Sequence, residues 1–268
     1  MLSVGSMTGL TRIGFASRGV MYLLIGYLAL RTGRTEDGSG ALGYLTSGAG
    51  KALLVLMALG FLAYALWRLS EALLDSEGHG SDAKGYAVRL GGAVSGLIHL
   101  GLGFLALRLG TGSGGGGGGG GGDATQEGAA TALSFPGGEV ALLIAAVGLG
   151  LTGAYQLVKA VKGDFLSHLD PQAARKEWVQ WLGRFGYAAR GVVFLVMGWF
   201  FLQAGRSSDA GQAGGMGEAL GSLPAALQTA VAAGLFLFGL FSLVEARFRR
   251  INDPKVLERF KGAASRAL

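Results

Sequence analysis

Three stretches of this chain, residues 12–33, 89–110 and 184–205, align with one another without gaps. The first two agree at 11 of 22 positions. Any fold must therefore house the same apolar segment three times, each copy burying a face against its neighbours. Eight positions are common to all three copies, and the first copy shows the pattern: Arg12, Gly14, Ala16, Gly19, Leu23, Gly26, Leu30 and Gly33. Seven of them, Gly14 aside, step by four and three residues, the seam of a helix packed at a shallow left-handed crossing. Within lipid, small residues that let backbones approach supply the packing between helices. Gly19, Gly26, Gly96, Gly103, Gly191 and Gly198 are accordingly expected to be helix-packing positions, not ligand contacts.

A second motif follows each copy. Residues 60–72 match 148–160 and 234–246, with a small residue five positions after the first glycine (Ala65, Gly153, Gly239). An aromatic stands seven after it (Trp67, Tyr155, Phe241) and a leucine nine after it (Leu69, Leu157, Leu243). The aromatics are expected to form an interfacial belt. Together the two motifs give six apolar segments, near Gly14–Leu30, Lys51–Leu74, Leu90–Leu107, Val140–Val158, Tyr187–Ala204 and Ala225–Val244. About 20 such residues cross a hydrocarbon core of ~30 Å. Composition agrees, with 15% charged residues and a mean hydropathy of +0.45; soluble domains carry about 25% charge.

The expected fold is an all-α membrane protein of six transmembrane helices. It forms three tandem hairpins of parallel orientation, a pseudo-threefold bundle about an axis along the membrane normal. The units span residues 11–77, 82–170 (with a Gly-rich external loop at 112–128) and 183–253, followed by a basic tail at 254–268. Lysines and arginines divide 18 to 5 between the two sides, whereas acidic residues divide only 10 to 7. Both ends are then expected to be cytoplasmic. The net charge of +6 is mostly this bias and needs no nucleic-acid partner. The first apolar segment resembles a signal peptide but lacks an Ala-x-Ala site and recurs in mid-chain, so it is expected to remain as a span. Asp170-Pro171 and Asp253-Pro254 have the form of a helix N-cap followed by proline. Each is expected to begin a short cytoplasmic helix, the first carrying Trp178 and Trp181. The glycine run 114–122 is expected to be a flexible external linker.

The frame Arg-x-Gly-Phe/Tyr-Ala-x-Arg-Gly-Val at Arg12–Val20 and Arg184–Val192, with a degenerate middle copy at Ser95 and His99, resembles the bacterial domain-of-unknown-function 1206 family. The resemblance covers nearly the whole chain. It implies a bacterial plasma-membrane protein built of three two-helix repeats, and it supplies no catalytic residues.

Few residues could carry chemistry. With no cysteine, disulfides, thiolate metal sites and cysteine nucleophiles are excluded. Three scattered histidines offer no metal set. Gly148–Gly153 fits a dinucleotide fingerprint in letters only, since it lies inside an apolar span. The informative positions are charged. Arg18 and Arg190 are equivalent on the first helices, Glu71 and Glu245 on the second, and in the middle copy both change, to Ser95 and Lys159. The joint change points to an interaction, with each arginine at the depth of the glutamate in its own hairpin and Lys159 reaching Glu71 or Glu245 in another unit. Intramembrane charges are costly and default to functional candidates. Ser95 and His99 are the candidate polar positions on the axis, although His99 replaces aromatic Tyr22 and Phe194 and is expected to pack.

The expected function is therefore a non-enzymatic helix bundle acting through assembly or interaction, with a small channel or transporter along the axis as the alternative. The bilayer is the expected partner, with a second copy or another membrane protein beside it. No cofactor, metal or small-molecule ligand is expected.

Overall fold

The computed structural model describes residues 4–33, 35–75, 80, 82–112 and 121–249. Six long helices carry the repeats: α1 (Val4–Thr32), α3 (Gly50–Leu74), α4 (Ala83–Thr111), α6 (Gly138–Lys162), α8 (Glu177–Ser207) and α10 (Ala225–Phe248). All six are long and apolar enough to cross a membrane. Short helices α2 (Gly38–Gly43), α5 (Gly121–Leu133) and α9 (Met216–Gly221) join the two long helices within each unit. They lie on the far face, opposite the terminal face where α1 begins and α10 ends. On the terminal face α7 (Pro171–Ala174) follows a 3-10 turn at Asp164–His168.

The long helices pack in the order α4–α3–α1–α10–α8–α6. Three of these contacts are junctions between units, α3·α4, α6·α8 and α1·α10, and they share one construction. A first-helix glycine takes the leucine of the second motif. A Cβ on Gly96 would stand 2.8 Å from Leu69 Cγ, one on Gly191 2.7 Å from Leu157 Cδ2, and one on Gly19 2.9 Å from Leu243 Cδ2. One heptad on, Gly103 sits 3.2 Å by the same measure from Leu62, Gly198 3.1 Å from the Gly150 nitrogen and Gly26 2.7 Å from Phe236. The heptad stripe is thus the surface joining each first helix to the second helix of another unit.

The hairpins are held differently. In the first unit a Cβ on Gly14 would meet Tyr64 Cβ at 2.7 Å, and one on Gly60 would collide with Ser17 Oγ. In the third, a Cβ on Gly186 would meet the Phe238 backbone at 2.7 Å and one on Gly234 would collide with Ala189 Cβ. The middle unit keeps glycine at both places, Gly91 and Gly148, yet among the described residues nothing lies within 4 Å of a Cβ on either. No comparable packing joins α4 to α6. The threefold arrangement is therefore complete at its three junctions and open along one hairpin, leaving a lateral seam.

The interior is filled. Tyr22, Ile25, Phe61, Leu235 and Phe238 belong to one buried core, with Leu42 of α2 and Leu220 of α9 inserted from the far face. These plugs come from a further repeat, Ala41-Leu42-x-x-Leu45 and Ala219-Leu220-x-x-Leu223. The middle unit has Ala129-Ala130-x-x-Leu133 in their place, and Ala130 is exposed.

Several expectations are corrected. The Gly-rich loop placed at 112–128 is helical from Gly121 onward, as α5; residues 113–120 lie outside the described residues. Asp170 does cap a helix, its carboxylate accepting from the Gln172 N–H at 2.9 Å. That helix ends at Ala174, however, and Trp178 and Trp181 ride on α8. Asp253-Pro254 lies outside the described residues. Of the three belt aromatics only Tyr155 faces outward; Phe241 is fully buried and Trp67 packs on Phe15 and Tyr64.

Candidate functional site

The repeat places three sets of equivalent positions at the junctions, in the part of the bundle nearer the terminal face. Residues 18, 95 and 190 come from the first helices; 242/245, 68/71 and 156/159 come from the second helices they pack on.

At α1·α10 the first-helix cation meets a carboxylate. Buried Arg18 donates to Glu245 Oε2 at 2.5 Å and to Ser242 Oγ at 3.2 and 3.3 Å, and its Nη1 reaches the Tyr64 hydroxyl at 3.1 Å. Its guanidinium carbon stands 4.4 Å from the Phe15 ring and 5.0 Å from the Phe238 ring. Arg249 approaches the other Glu245 oxygen at 3.3 Å. A charge held this deep survives because its donors are satisfied and a carboxylate neutralises it.

At α3·α4 the first helix contributes Ser95, and buried Glu71 instead takes Arg68, one turn earlier on its own helix. Within α4, His99 Nδ1 donates to the Ser95 carbonyl one turn earlier at 2.7 Å, and across the junction its ring packs against Phe61 and Tyr64. The bond to a carbonyl fixes the hydrogen on Nδ1. Nε2 is then a buried acceptor without a hydrogen-bond partner among the described residues.

At α6·α8 the equivalent residues are Arg190, Lys159 and Gln156. Arg190 lies over the rings of Phe238, Tyr22 and Phe194, at 4.5, 5.3 and 5.3 Å, and its buried Nε has no hydrogen-bond partner among the described residues. Lys159 Nζ stands 5.0 Å from the Tyr187 ring and 5.5 Å from that of Tyr155. Gln156 is 5% exposed, with its amide oxygen unpartnered among the described residues. Among the described residues neither cation has a carboxylate at ion-pair distance.

The hairpin pairing expected from the sequence is therefore corrected. Arg18 meets Glu245 of a different unit, because the junctions, not the hairpins, bring these two positions together. Lys159 pairs with neither Glu71 nor Glu245. Glu71 sits on α3, which does not pack on α6, and Glu245 stands within electrostatic range only. The arrangement has no nucleophile–base pair and, among the described residues, no group of metal ligands. A separate depression of 340 Å³ on the far face, lined by Trp199, Gln203 and Glu218 among others, does not reach these charges. The Glu218 carboxylate there accepts from the Gly215 N–H at 2.9 Å, at the start of α9.

Comparison with known proteins returns the same threefold division. The model of the family described as Domain of Unknown Function (DUF1206) matches residues 13–75, 90–163 and 185–249. The chain is 27% identical over 257 residues to "Uncharacterized protein YxxB" of Bacillus subtilis (strain 168), covering 91% of this chain and 92% of that one. No solved structure matches.

Proposed function

The chain belongs to the DUF1206 family, and from that premise we propose a non-enzymatic binding protein of the bacterial plasma membrane that meets its partner laterally, through the seam between α4 and α6. The 18-to-5 division of basic residues supports cytoplasmic chain ends. The observation that carries the reading is the asymmetry of the hairpins. Two are closed on the contacts of Gly14 with Tyr64 and Gly186 with Phe238, while Gly91 and Gly148 stand open. The aliphatic and aromatic filling of the interior weighs against solute passage along the axis.

The absence of cysteine makes a labelling test direct. Single cysteines at Val94 and Thr152, on the seam, are expected to react with a lipid-soluble maleimide. Their equivalents at Ala189 and Phe238, buried in the closed third hairpin, are expected to resist. Equal protection at all four would refute a lateral surface. Liposomes holding the purified protein are expected to show no solute flux above protein-free liposomes; saturable flux would favour the axial channel instead.

A further inference from the structure

We propose that Arg190 and Lys159 bind a phosphate-bearing anionic group at the α6·α8 junction; this rests on the lateral reading above for the route of entry alone. The three junctions are built alike, so each serves as a control for the others. One holds Arg18 and Arg249 on the two oxygens of Glu245, the second Arg68 on Glu71, and every cation named there reaches a carboxylate. The third sets Arg190 over the Phe238 ring and Lys159 over the Tyr187 ring, two rings whose centroids are 5.3 Å apart, with no carboxylate at ion-pair distance from either cation among the described residues. Ring faces attract cations but provide no oxygen for the N–H groups. Retaining two such charges in a membrane interior is costly unless an anion joins them.

The donors also fit the chemistry. A guanidinium presents a planar fork suited to two oxygens of a phosphate, and an ammonium adds a point charge with three donors. Gln156 occupies the place where Ser242 serves Arg18, and its unpartnered amide oxygen is an acceptor for the cations, not a donor to the anion. A phosphodiester has two unesterified oxygens, enough for cations on two helices. The depth suits a headgroup. Arg184 caps the end of α6 by donating to the Ala160 and Val161 carbonyls at 3.1 and 2.6 Å. Arg190 lies six residues further along α8, about 9 Å of helical rise. Exposed Trp178 and Trp181, earlier on the same helix, mark the terminal-face interface. Both a lipid headgroup and free phosphate carry the required chemistry.

The test is thermal unfolding of the full chain in a neutral detergent. It is measured with phosphatidylglycerol, with phosphatidylcholine at equal mole fraction, and with inorganic phosphate against chloride at equal ionic strength. A ligand that binds only the folded protein raises the midpoint. Phosphatidylglycerol is expected to raise it by several degrees more than phosphatidylcholine. That increment is expected to vanish in Arg190→Gln and Lys159→Gln and to persist in Lys162→Gln, which alters an exposed cation. Lys159→Glu rebuilds the arginine–glutamate pair of the α1·α10 junction. It is expected to fold, to unfold at a higher temperature than the parent without lipid, and to ignore phosphatidylglycerol.

A response to inorganic phosphate alone, with the same pattern among variants, supports the site and assigns it to a soluble anion. No response to either, or a full response in Lys159→Glu, would overturn the proposal. Protection of Val94 and Thr152 from labelling, together with an intact phosphate response, would sink the lateral reading and leave the site standing.

Discussion

Glu245 is the residue on which the terminal-face side of the bundle depends. It is 2% exposed and is approached by Arg18 on one oxygen and Arg249 on the other. Removing one partner of a buried pair leaves an uncompensated charge, at a cost of about 3–5 kcal/mol. Glu245→Gln should lower stability by that amount in denaturant unfolding of the detergent-solubilised protein. Adding Arg18→Met removes one of the two stranded charges, the one held at 2.5 Å, and should recover a large part of the loss. A double variant no more stable than the single would mean that the pair is not the source of the effect. His99→Phe is expected to be tolerated, within about 1.5 kcal/mol, since equivalent positions hold Tyr22 and Phe194. It trades an unpartnered Nε2 for carbon, and unfolding of that variant checks it.

At the scale of elements, the helices and their sticky stripe were legible in the sequence, and the partner of the stripe was not. Apolar periodicity and recurrence mark the long helices because the bilayer demands them of any spanning segment. The glycine heptads announce close approach, but a hairpin neighbour and a neighbour from another unit satisfy the same letters. For the same reason the joint change to Ser95 and Lys159 showed that two positions were linked and misassigned the helices that link them. Only the fold reveals that the third junction holds two cations. The plugs at Leu42 and Leu220 could have been found from their Ala-Leu-x-x-Leu repeat.

The structure also separates glycines that the sequence treats alike. On Gly26 a Cβ would lie 2.7–2.8 Å from Cβ, N and Cα of Phe236, none of which can swing aside. Gly26→Ala should push α1 off α10 and cost roughly 1–3 kcal/mol. Gly148 faces open space, so Gly148→Ala should be neutral or gain up to about 1 kcal/mol of helix stability. Paired unfolding curves would show this, and equal effects would contradict the assignment of surfaces.

The whole molecule is a threefold scheme with one side left open, and no pattern of letters disclosed the opening. Gly91 and Gly148 are the same residues that close the sister hairpins. What differs is around them: Thr152 stands where Tyr64 and Phe238 fill the other two, and Ala130 where Leu42 and Leu220 reach inward. Smaller side chains at equivalent places leave α4 and α6 with less to bury against one another. The most direct measurement is oxidative cross-linking in native membranes of three equivalent cysteine pairs. They are Gly14→Cys with Tyr64→Cys, Gly91→Cys with Thr152→Cys, and Gly186→Cys with Phe238→Cys. A disulfide requires its Cβ atoms within about 4.5 Å. The first and third pairs should form it and the middle pair should not; a middle pair that closes as readily as the others would contradict the open seam.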